Sequence, residues 1–464
     1  MAEGRVVIVG GDAAGMSAAT HIRRAAPKTS VVVFERGPYT SYSMCGIPYL
    51  IAGYLDDPAE LIVRTPEEFR AQGIDVHTRT EALSVDAGRR VVVVRDLETG
   101  AEREESYDAL LVATGAQPTV PDVEGADRYG EVVHTLAEGE RVRDLVRLGP
   151  DAEPRHVVVI GAGYIGLEVA EALVQRGHKA TIVDRSSQVM KSLDDDMAAV
   201  VEKALVDFGV DVRLSADVQA LRADGGRLVS VVTDGGAIPA DVVVVAAGSR
   251  PNTQVATSGG CSVGTSGGLV VDERMRTDVE GIWAAGDCVE SLDLVAGLRR
   301  NVQLGTHANK QGKVAGIDIV AALEGGRGAA TFPGVVGTAV TRICRWEIGR
   351  VGLTSTEARE AGVPFAASTF TGSAKARYMP DPGVVHVKML AEAGTGRVLG
   401  AQLVGTGNVA KRIDVAATWC LLGVTVQQAQ TLDLSYAPPF GGVWDLLQVA
   451  ARKLARDLDL EPRL

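Results

Sequence analysis

Short unbroken apolar runs, each closed by a turn of small residues, recur along this chain. Such runs are the mark of parallel strands buried on both faces. Arg5-Val-Val-Ile-Val9 reads as one, Gly10-Gly-Asp-Ala-Ala-Gly15 turns it into a helix from Met16 to Ala26, and Ser30-Val-Val-Val-Phe34 follows as the next strand, ending at Glu35. The same order returns at Arg155-His-Val-Val-Val-Ile160, with the turn Gly161-Ala-Gly163-Tyr164-Ile165-Gly166, a helix to about Arg176, the strand Ala180-Thr-Ile-Val183 and then Asp184. Tyr107-Asp-Ala-Leu-Leu-Val-Ala-Thr114-Gly115 closes the first unit, with Pro118 and Pro121 marking a crossover. Asp241-Val-Val-Val-Val-Ala-Ala-Gly248 closes the second, followed by Ser249-Arg-Pro-Asn252, and Gly281-Ile-Trp-Ala-Ala-Gly286-Asp287 leads back to the first. After a Gly325-Gly-Arg-Gly328 linker the pattern changes. From about Phe332 it alternates β-like runs such as Val384-Val-His-Val-Lys-Met-Leu390 with amphipathic helices near 410–422 and 443–455.

These patterns predict an α/β chain with two Rossmann-like dinucleotide-binding units and a C-terminal α+β domain. The expected boundaries are 1–118 and 248–326 for the first unit, 119–247 for the second and 327–464 for the third. A length of 464 residues is too great for one core and suits this division. Gly10 permits a tight turn and Gly15 close helix packing, with the helix N-terminus facing a pyrophosphate. Asp12 stands where the middle glycine of the fingerprint belongs, so its side chain should turn away to cap the helix. Glu35 comes twenty residues after Gly15 and Asp184 eighteen after Gly166, where an acid grips a ribose hydroxyl. Asp184 favours a 2′-hydroxyl and hence NAD(H), while Arg185 and Ser186 beside it leave NADP(H) open. Asp287, next to Gly286 at a strand end, is placed to hydrogen-bond a polyol or to cap the segment that follows.

The stretch Ser41-Tyr-Ser43-Met-Cys45-Gly-Ile-Pro-Tyr-Leu50-Ile-Ala-Gly53 sets one cysteine at the opening of a short apolar segment. Ser41 and Ser43 can cap a helix whose first turn holds Cys45, and the positive end of that helix would then favour a thiolate. A two-cysteine redox pair would need a cysteine at position 50, which is Leu50, and no other cysteine precedes Cys261. A lone cysteine is also a common small buried hydrophobe. Five cysteines at irregular spacing describe neither a secreted disulfide scaffold nor a zinc site, and no metal is expected. A net charge of −12 argues against nucleic acid or an anionic membrane as partner. There is no signal-peptide layout and no apolar stretch of about 18–20 residues, so a cytoplasmic protein is expected.

Taken together, the paired fingerprints, Ala113-Thr114-Gly115, Ala285-Gly286-Asp287 and Thr306-His-Ala-Asn-Lys-Gln-Gly312 resemble the FAD-dependent pyridine nucleotide-disulfide oxidoreductases over nearly the whole length. The resemblance implies FAD at Gly10, Gly15, Glu35, Arg36, Ser43, Thr114, Gly115, Gly286 and Asp287, with a helix beginning near Leu304, Gly305 and Thr306 aimed at the flavin. It implies NAD(P)H at Gly161, Gly163, Tyr164, Ile165, Gly166, Asp184, Arg185 and Gly248, and Glu168 near flavin and nicotinamide. Within the family, Ser43-Met-Cys45-Gly-Ile-Pro-Tyr49 is most similar to the single-cysteine branch of CoA-disulfide and CoA-persulfide reductases, NADH oxidases and NADH peroxidases. The oxidase and peroxidase histidine is absent from the first glycine turn, and no histidine follows His386 to form a C-terminal His-Glu pair. Leu434-Ser-Tyr436-Ala-Pro-Pro-Phe440 resembles the CoA-disulfide reductase tail, and Tyr378 a second tyrosine of that branch. The resemblance thus implies a homodimer in which Tyr378 and Tyr436 of one chain cover Cys45 of the other, and a small disulfide or persulfide substrate linked to CoA. His21, Arg23, Arg24, Arg64, Arg299 and Arg300 are candidate cations for its diphosphate. Cys261, Cys288, Cys344 and Cys420 read as structural, and Trp419 and Trp444 as core or interface. The rival functions are an NADH oxidase or peroxidase working through a sulfenic acid, and a redox-sensing or electron-donating flavoprotein without small-disulfide turnover.

Overall fold

A computed structural model describes residues 3–148 and 153–460. The outermost residues of the first and third expected units, 1–2 and 461–464, lie outside these, as does 149–152 of the second. In the first unit β1 (Arg5–Val9) runs into α1 (Ala13–Ala25), then β2 (Ser30–Phe34), a short helix α2 (Ile47–Ala52), β3 (Asp75–His77) and β4 (Ala109–Val112). The helix α1 begins at Ala13, three residues before the expected Met16, because Asp12 already accepts the Met16 amide through its backbone carbonyl. All pairings in this sheet are parallel, and β1, almost wholly apolar, is buried between its neighbours.

The second unit repeats the plan with β5 (Gly130–Val132), β6 (His156–Ile160), α3 (Tyr164–Gln175), β7 (Lys179–Val183), α4 (Asp195–Phe208), β8 (Asp211–Arg213) and β9 (Val242–Val245). Its sheet has the order β8-β7-β6-β9-β5, again all parallel. The strand β10 (Ile282–Ala284) then pairs with β4 and completes the first sheet as β10-β4-β1-β2-β3. The repeat goes further than the sequence indicated. Each unit inserts a three-stranded antiparallel ribbon before its closing strand, over 80–106 in the first and 218–239 in the second.

A long helix, α5 (Gly305–Leu323), crosses α1 so closely that a Cβ on Gly312 would lie 2.1 Å from the Ala14 carbonyl oxygen. Beyond it, β11 (Ala339–Ile343), β12 (Trp346–Gly352), β13 (Phe365–Gly372), β14 (Val385–Glu392) and β15 (Val398–Gly405) form an antiparallel sheet in the order β11-β12-β15-β14-β13. The helices α6 (Ala410–Leu422) and α7 (Leu446–Asp457) pack on it, burying Trp419 and leaving Trp444 exposed beneath Arg452. A buried ionic cluster joins this sheet to the second unit: Asp194 accepts from the Ser355 amide and hydroxyl and from Gln402, and pairs with Lys388 at 2.9 Å. Among the described residues no helix is long and apolar enough to cross a membrane.

Candidate active site

The two glycine turns are built alike, for steric reasons the sequence already contains. Gly10 and Gly161 hold φ of +108° and +114°, and a Cβ there would lie 2.1 Å from the Ala113 oxygen or 2.3 Å from the Ala246 oxygen. Gly15 and Gly166 are even tighter: an added Cβ would sit 1.9 Å and 2.0 Å from the carbonyl oxygens of Gly10 and Gly161. Gly163 is different. A Cβ on it meets nothing within 4 Å, so the fold does not require a glycine there and the space it borders is open. That bareness fits a pyrophosphate lying against the turn.

The acids that close each turn are also alike. Glu35 accepts from the Gly11 amide at 2.7 Å and the Gly37 amide at 2.6 Å. Asp184 accepts from the Ala162 and Ser186 amides, both at 2.7 Å. Each carboxylate therefore clamps its turn and keeps lone pairs for a ribose. Asp12 departs from expectation, since it makes no capping bond to α1. Its carboxyl instead takes the backbone of Tyr42 and Ala13, and burial with the nearby Glu35 raises its pKa to about 7.

Close to the first turn lies Asp287, near enough to act on the Asp12 carboxyl. Its carboxylate has no hydrogen-bond partner among the described residues, and burial raises its pKa to about 6. An unpartnered, half-buried acid of this kind fits the polyol of a flavin cofactor. The neighbouring Gly286 amide is bound by Gln311 of α5, at 2.8 Å, and the first residues of that helix, Gly305 and Thr306, are exposed with no side-chain cap. Thr114 and Gly115 are bonded to Asn252, through the Thr114 hydroxyl at 2.6 Å and the Gly115 carbonyl at 2.9 Å, and Gly248 turns at φ +99° with open space beside it. Arg36 pairs with Glu81 at 3.8 Å.

Cys45 lies between the two units. Its segment is tied to the first glycine turn by the Ser41 amide on the Gly11 oxygen, at 3.0 Å, and to the second unit by Arg176 on the Ile51 oxygen, at 3.1 Å. Ile47, Leu50 and Ile51 of α2 are buried in the core of the second unit with Leu136, Leu167 and Val169. Each such side chain contributes about 1.5–3 kcal/mol, which anchors the peptide that carries the thiol. Cys45 itself is exposed, which excludes the buried-hydrophobe reading.

The expected thiolate is not supplied by the helix. Cys45 sits in a single 3-10 turn, Met44–Gly46, ahead of α2, and Ser43, exposed, makes no capping bond. The surrounding protein withdraws solvent and raises the thiol pKa, and the carboxylates of Glu168 and Asp287 push it the same way. Glu168 is itself held above its usual range by burial, opposed by a hydrogen bond from Thr341 of β11. Tyr164 opens α3 with its phenol 3.4 Å from the Ser192 hydroxyl, and Ile165 beside it is exposed.

Other expectations sort cleanly. Tyr378 and Tyr436 hydrogen-bond each other on an exposed face, Tyr378 at 75% exposure, and no contact among the described residues ties either to Cys45 of the same chain. Arg300 is consumed by Asp293 and Glu357, whereas Arg299, exposed, gives one bond to the Val271 carbonyl and has no acidic partner among the described residues. Arg23 binds the Gln72 and Pro27 carbonyls and, with Arg24, lines a cleft of about 220 Å³ with Thr20, Pro27, Gln72 and Ile74. Arg64 lies over Phe69. Cys288 is fully buried, bonded to the Val112 and Ala285 carbonyls, and Cys261 and Cys420 are buried as well, whereas Cys344 is only partly so. Thr341, Gln311 and Asn252 were not anticipated. Gln311, inside the Thr306–Gly312 motif, and Asn252, closing Ser249-Arg-Pro-Asn252, lay in stretches the sequence marks, whereas Thr341 carried no signal.

Known proteins resemble this chain over most of its length. The family profile described as pyridine nucleotide-disulphide oxidoreductase matches residues 4–312, and that of its dimerisation domain matches 338–446. The NAD(P)H coenzyme A polysulfide/persulfide reductase of Pyrococcus horikoshii is 37% identical over 453 residues, covering 97% of this chain and 98% of that protein. An NADH oxidase of Methanocaldococcus jannaschii is 35% identical over 457 residues, covering 98% and 99%. The structure of a NAD-dependent persulfide reductase from A. fulgidus superposes with a TM-score of 0.92 at 37% identity, covering 98% of this chain and 83% of that one.

Proposed function

The chain belongs to the pyridine nucleotide-disulphide oxidoreductases, and from that premise we propose that it reduces a CoA-linked disulfide or persulfide with NAD(P)H, using Cys45 as its redox-active sulfur. One observation carries the reading: a lone exposed cysteine is held where Glu168 of the second nucleotide unit and Asp287 of the first both act on its charge. FAD bound along the first turn supplies a two-electron relay between nicotinamide and sulfur. The chain's residues do the rest. Gly10, Gly15 and Glu35 shape the first site, with Asp287 offered to the polyol. Gly161, Gly163, Gly166 and Asp184 shape the second.

The Cys45 thiolate attacks one sulfur of the substrate, forming a mixed disulfide and releasing one thiolate. Two electrons then cleave that bond, returning Cys45 to the thiolate and releasing the second thiol. One proton arrives with the hydride and one from solvent, so NAD(P)H, a proton and a disulfide give NAD(P)+ and two thiols. Because the protein's own groups raise the Cys45 pKa, the thiolate must be stabilised by what binds beside it. The cleft at Arg23 and Arg24 offers two guanidinium groups to a nucleotide phosphate, which supports a CoA-type ligand. Exposed Phe440, Val443, Trp444 and Leu422 in the region matched to the dimerisation profile support a homodimer, with Tyr378 and Tyr436 reaching the partner chain's thiol. All five cysteines are unpaired, as a reducing cytoplasm requires.

The test is mass spectrometry of the thiol attached to Cys45 in the purified protein, together with NAD(P)H consumption on adding CoA disulfide. A CoA adduct and CoA-disulfide turnover are expected. Oxygen consumption without any disulfide, with a sulfenic or sulfinic acid at Cys45, would replace this reading with an NADH oxidase.

A further inference from the structure

The helix α3 carries polar side chains at Tyr164, Glu168, Glu171 and Gln175, and every other position in it is apolar or glycine. Spacings of four, three and four residues put all of them on one stripe. On a surface helix such a stripe faces water, and here it does not. It is covered by α2 and β11, Glu171 is buried, and apolar Ile165 is left exposed instead. Only at Gln175, in the last turn, does the stripe reach solvent.

Between the three elements lies a cavity of about 20 Å³, lined by Pro48 and Tyr49 of α2, Glu168, Glu171 and Gln175 of α3 and Arg342 of β11. One water needs roughly 10–15 Å³ and at least two polar partners, and the cavity offers both. Gln175 donates to Glu171 at 2.8 Å, and Thr341 donates to Glu168. Burial raises the Glu171 carboxyl, opposed by the Cys344 backbone and the Arg342 charge, and burial raises Glu168 as well. The Tyr49 phenol is raised by burial and then by Glu168, with Glu171 and Cys45 acting the same way and Arg342 against them. It therefore stands among all four. The remaining charges acting on Cys45 are Asp287 and Asp12. From Gln175 to Glu168 the stripe runs about 10 Å along the helix, from solvent to the foremost acid acting on the thiol.

We infer that Glu171 is the entry residue of a proton path: with Gln175 at the mouth and room for one water in the cavity, it passes the proton that solvent supplies to Glu168, which gives it to the thiolate released at Cys45. The inference rests on the disulfide-reductase reading of Cys45 and adds the route that reading leaves open. Each step moves one proton and no electrons. The departing thiolate takes the Glu168 proton and leaves as a thiol, Glu168 is refilled from Glu171 through the water, and Glu171 is refilled from bulk solvent past Gln175. Glu171 acts through Glu168 and is a positioning residue for that proton. Burying a polar stripe this way costs desolvation, which a helix with only a packing role would avoid.

The test compares two disulfides on the FAD-loaded protein with NAD(P)H as donor. CoA disulfide releases a basic alkyl thiolate that needs a proton, whereas dithiobis-nitrobenzoate releases an acidic aryl thiolate that leaves without one. Glu171→Gln keeps the size of the side chain and its bond to Gln175 but removes the exchangeable acid. In mildly alkaline buffer it should lower kcat for CoA disulfide about tenfold or more, with KM changed less than about twofold, and leave kcat for the aryl disulfide within about twofold. Raising the imidazole concentration should restore part of the loss. Equal losses on the two disulfides, or a loss that imidazole does not restore, overturn the path and give Glu171 a packing role. If the unaltered protein ignores CoA disulfide but reduces the aryl compound, the proposed substrate falls, and the same comparison made with hydroxyethyl disulfide decides the path. If it reduces neither, the reading of Cys45 falls and the path with it.

Discussion

Thr341, on the first strand of the C-terminal sheet, donates its hydroxyl to Glu168, on the helix that follows the second glycine turn. The bond lowers a carboxyl that burial has raised, and Glu168 is the foremost charged group raising the Cys45 thiol. Replacing Glu168 with Gln removes that charge, so the thiol pKa should fall and the rate of Cys45 alkylation by iodoacetamide at neutral pH should rise. Thr341→Val should raise the Glu168 pKa further. A rate profile against pH, read by mass spectrometry of Cys45, distinguishes the two; no change with Glu168→Gln would remove Glu168 from the site.

Cys45→Ser should lower disulfide turnover by about a thousandfold or more, while the bound flavin is still reduced by NAD(P)H. Anaerobic absorbance titration measures the second property separately from the first. Full turnover in the serine variant would sink the single-sulfur mechanism.

The glycines separate folding from binding. Gly166→Ala places a methyl against the backbone oxygen of Gly161 and should destabilise the second unit by several kcal/mol. Gly163→Ala meets no atom of the protein, so its thermal midpoint should be almost unchanged while NAD+ binding weakens. Equal loss of stability in both variants would contradict the open space beside Gly163.

Asp12 gives a pH dependence. Its pKa is raised to about 7, by burial first and by Glu35 next. When protonated it does not repel a pyrophosphate, and when ionised it does. Affinity of the apoprotein for FAD should therefore fall as pH rises through about 7, and Asp12→Asn should flatten the curve. Fluorescence titration of FAD on either side of neutrality decides it.

The Asp194–Lys388 pair is almost fully buried, at 3% and 10% side-chain exposure. Removing one partner with Asp194→Asn should cost about 3–5 kcal/mol, read as a lower urea midpoint. Burial alone would raise the Asp194 carboxyl, but Ser355, Lys388 and Gln402 hold it below the ordinary value. Its stabilisation is thus present above the unfolded-state value of about 3.9 and is lost as pH falls through the lower folded value. Burial alone would lower the Lys388 ammonium, but the bonds it donates to Asp196 and Asp194 raise it instead. That contribution is whole below about 10.4 and is lost as pH rises through the folded value.

What the sequence revealed, and what it concealed, divides along the range of the forces involved. The turns at Gly10–Gly15 and Gly161–Gly166 were legible because the demand for glycine comes from atoms within a few residues, and the acids at Glu35 and Asp184 because strand length fixes their spacing. Cys45 was legible as a site but not in its titration. A helix terminus is visible in sequence, whereas Glu168 and Asp287 reach the thiol only after the chain has folded across more than a hundred residues. The Asp12 side chain followed the same rule, exchanging a local cap for the backbone of Tyr42, thirty residues on. Thr341 sits in a strand whose local pattern gives no hint of Glu168. The antiparallel ribbons over 80–106 and 218–239 were missed although the second carries hairpin turns in plain sight, Asp224-Gly225-Gly226 and Asp234-Gly235-Gly236 with positive φ at Gly225, Gly226 and Gly236, because the recurring parallel strands on either side dominate the apolar pattern.

The peptide bearing Cys45 is moored at Gly11 on one side and at Arg176 on the other. A sulfur suspended in that way belongs to neither half of the duplication, so any rocking of one half against the other must carry it along or strain a mooring. A shift of one half alone would therefore pull on the thiol's peptide through the Arg176 side chain or through the Ser41 amide.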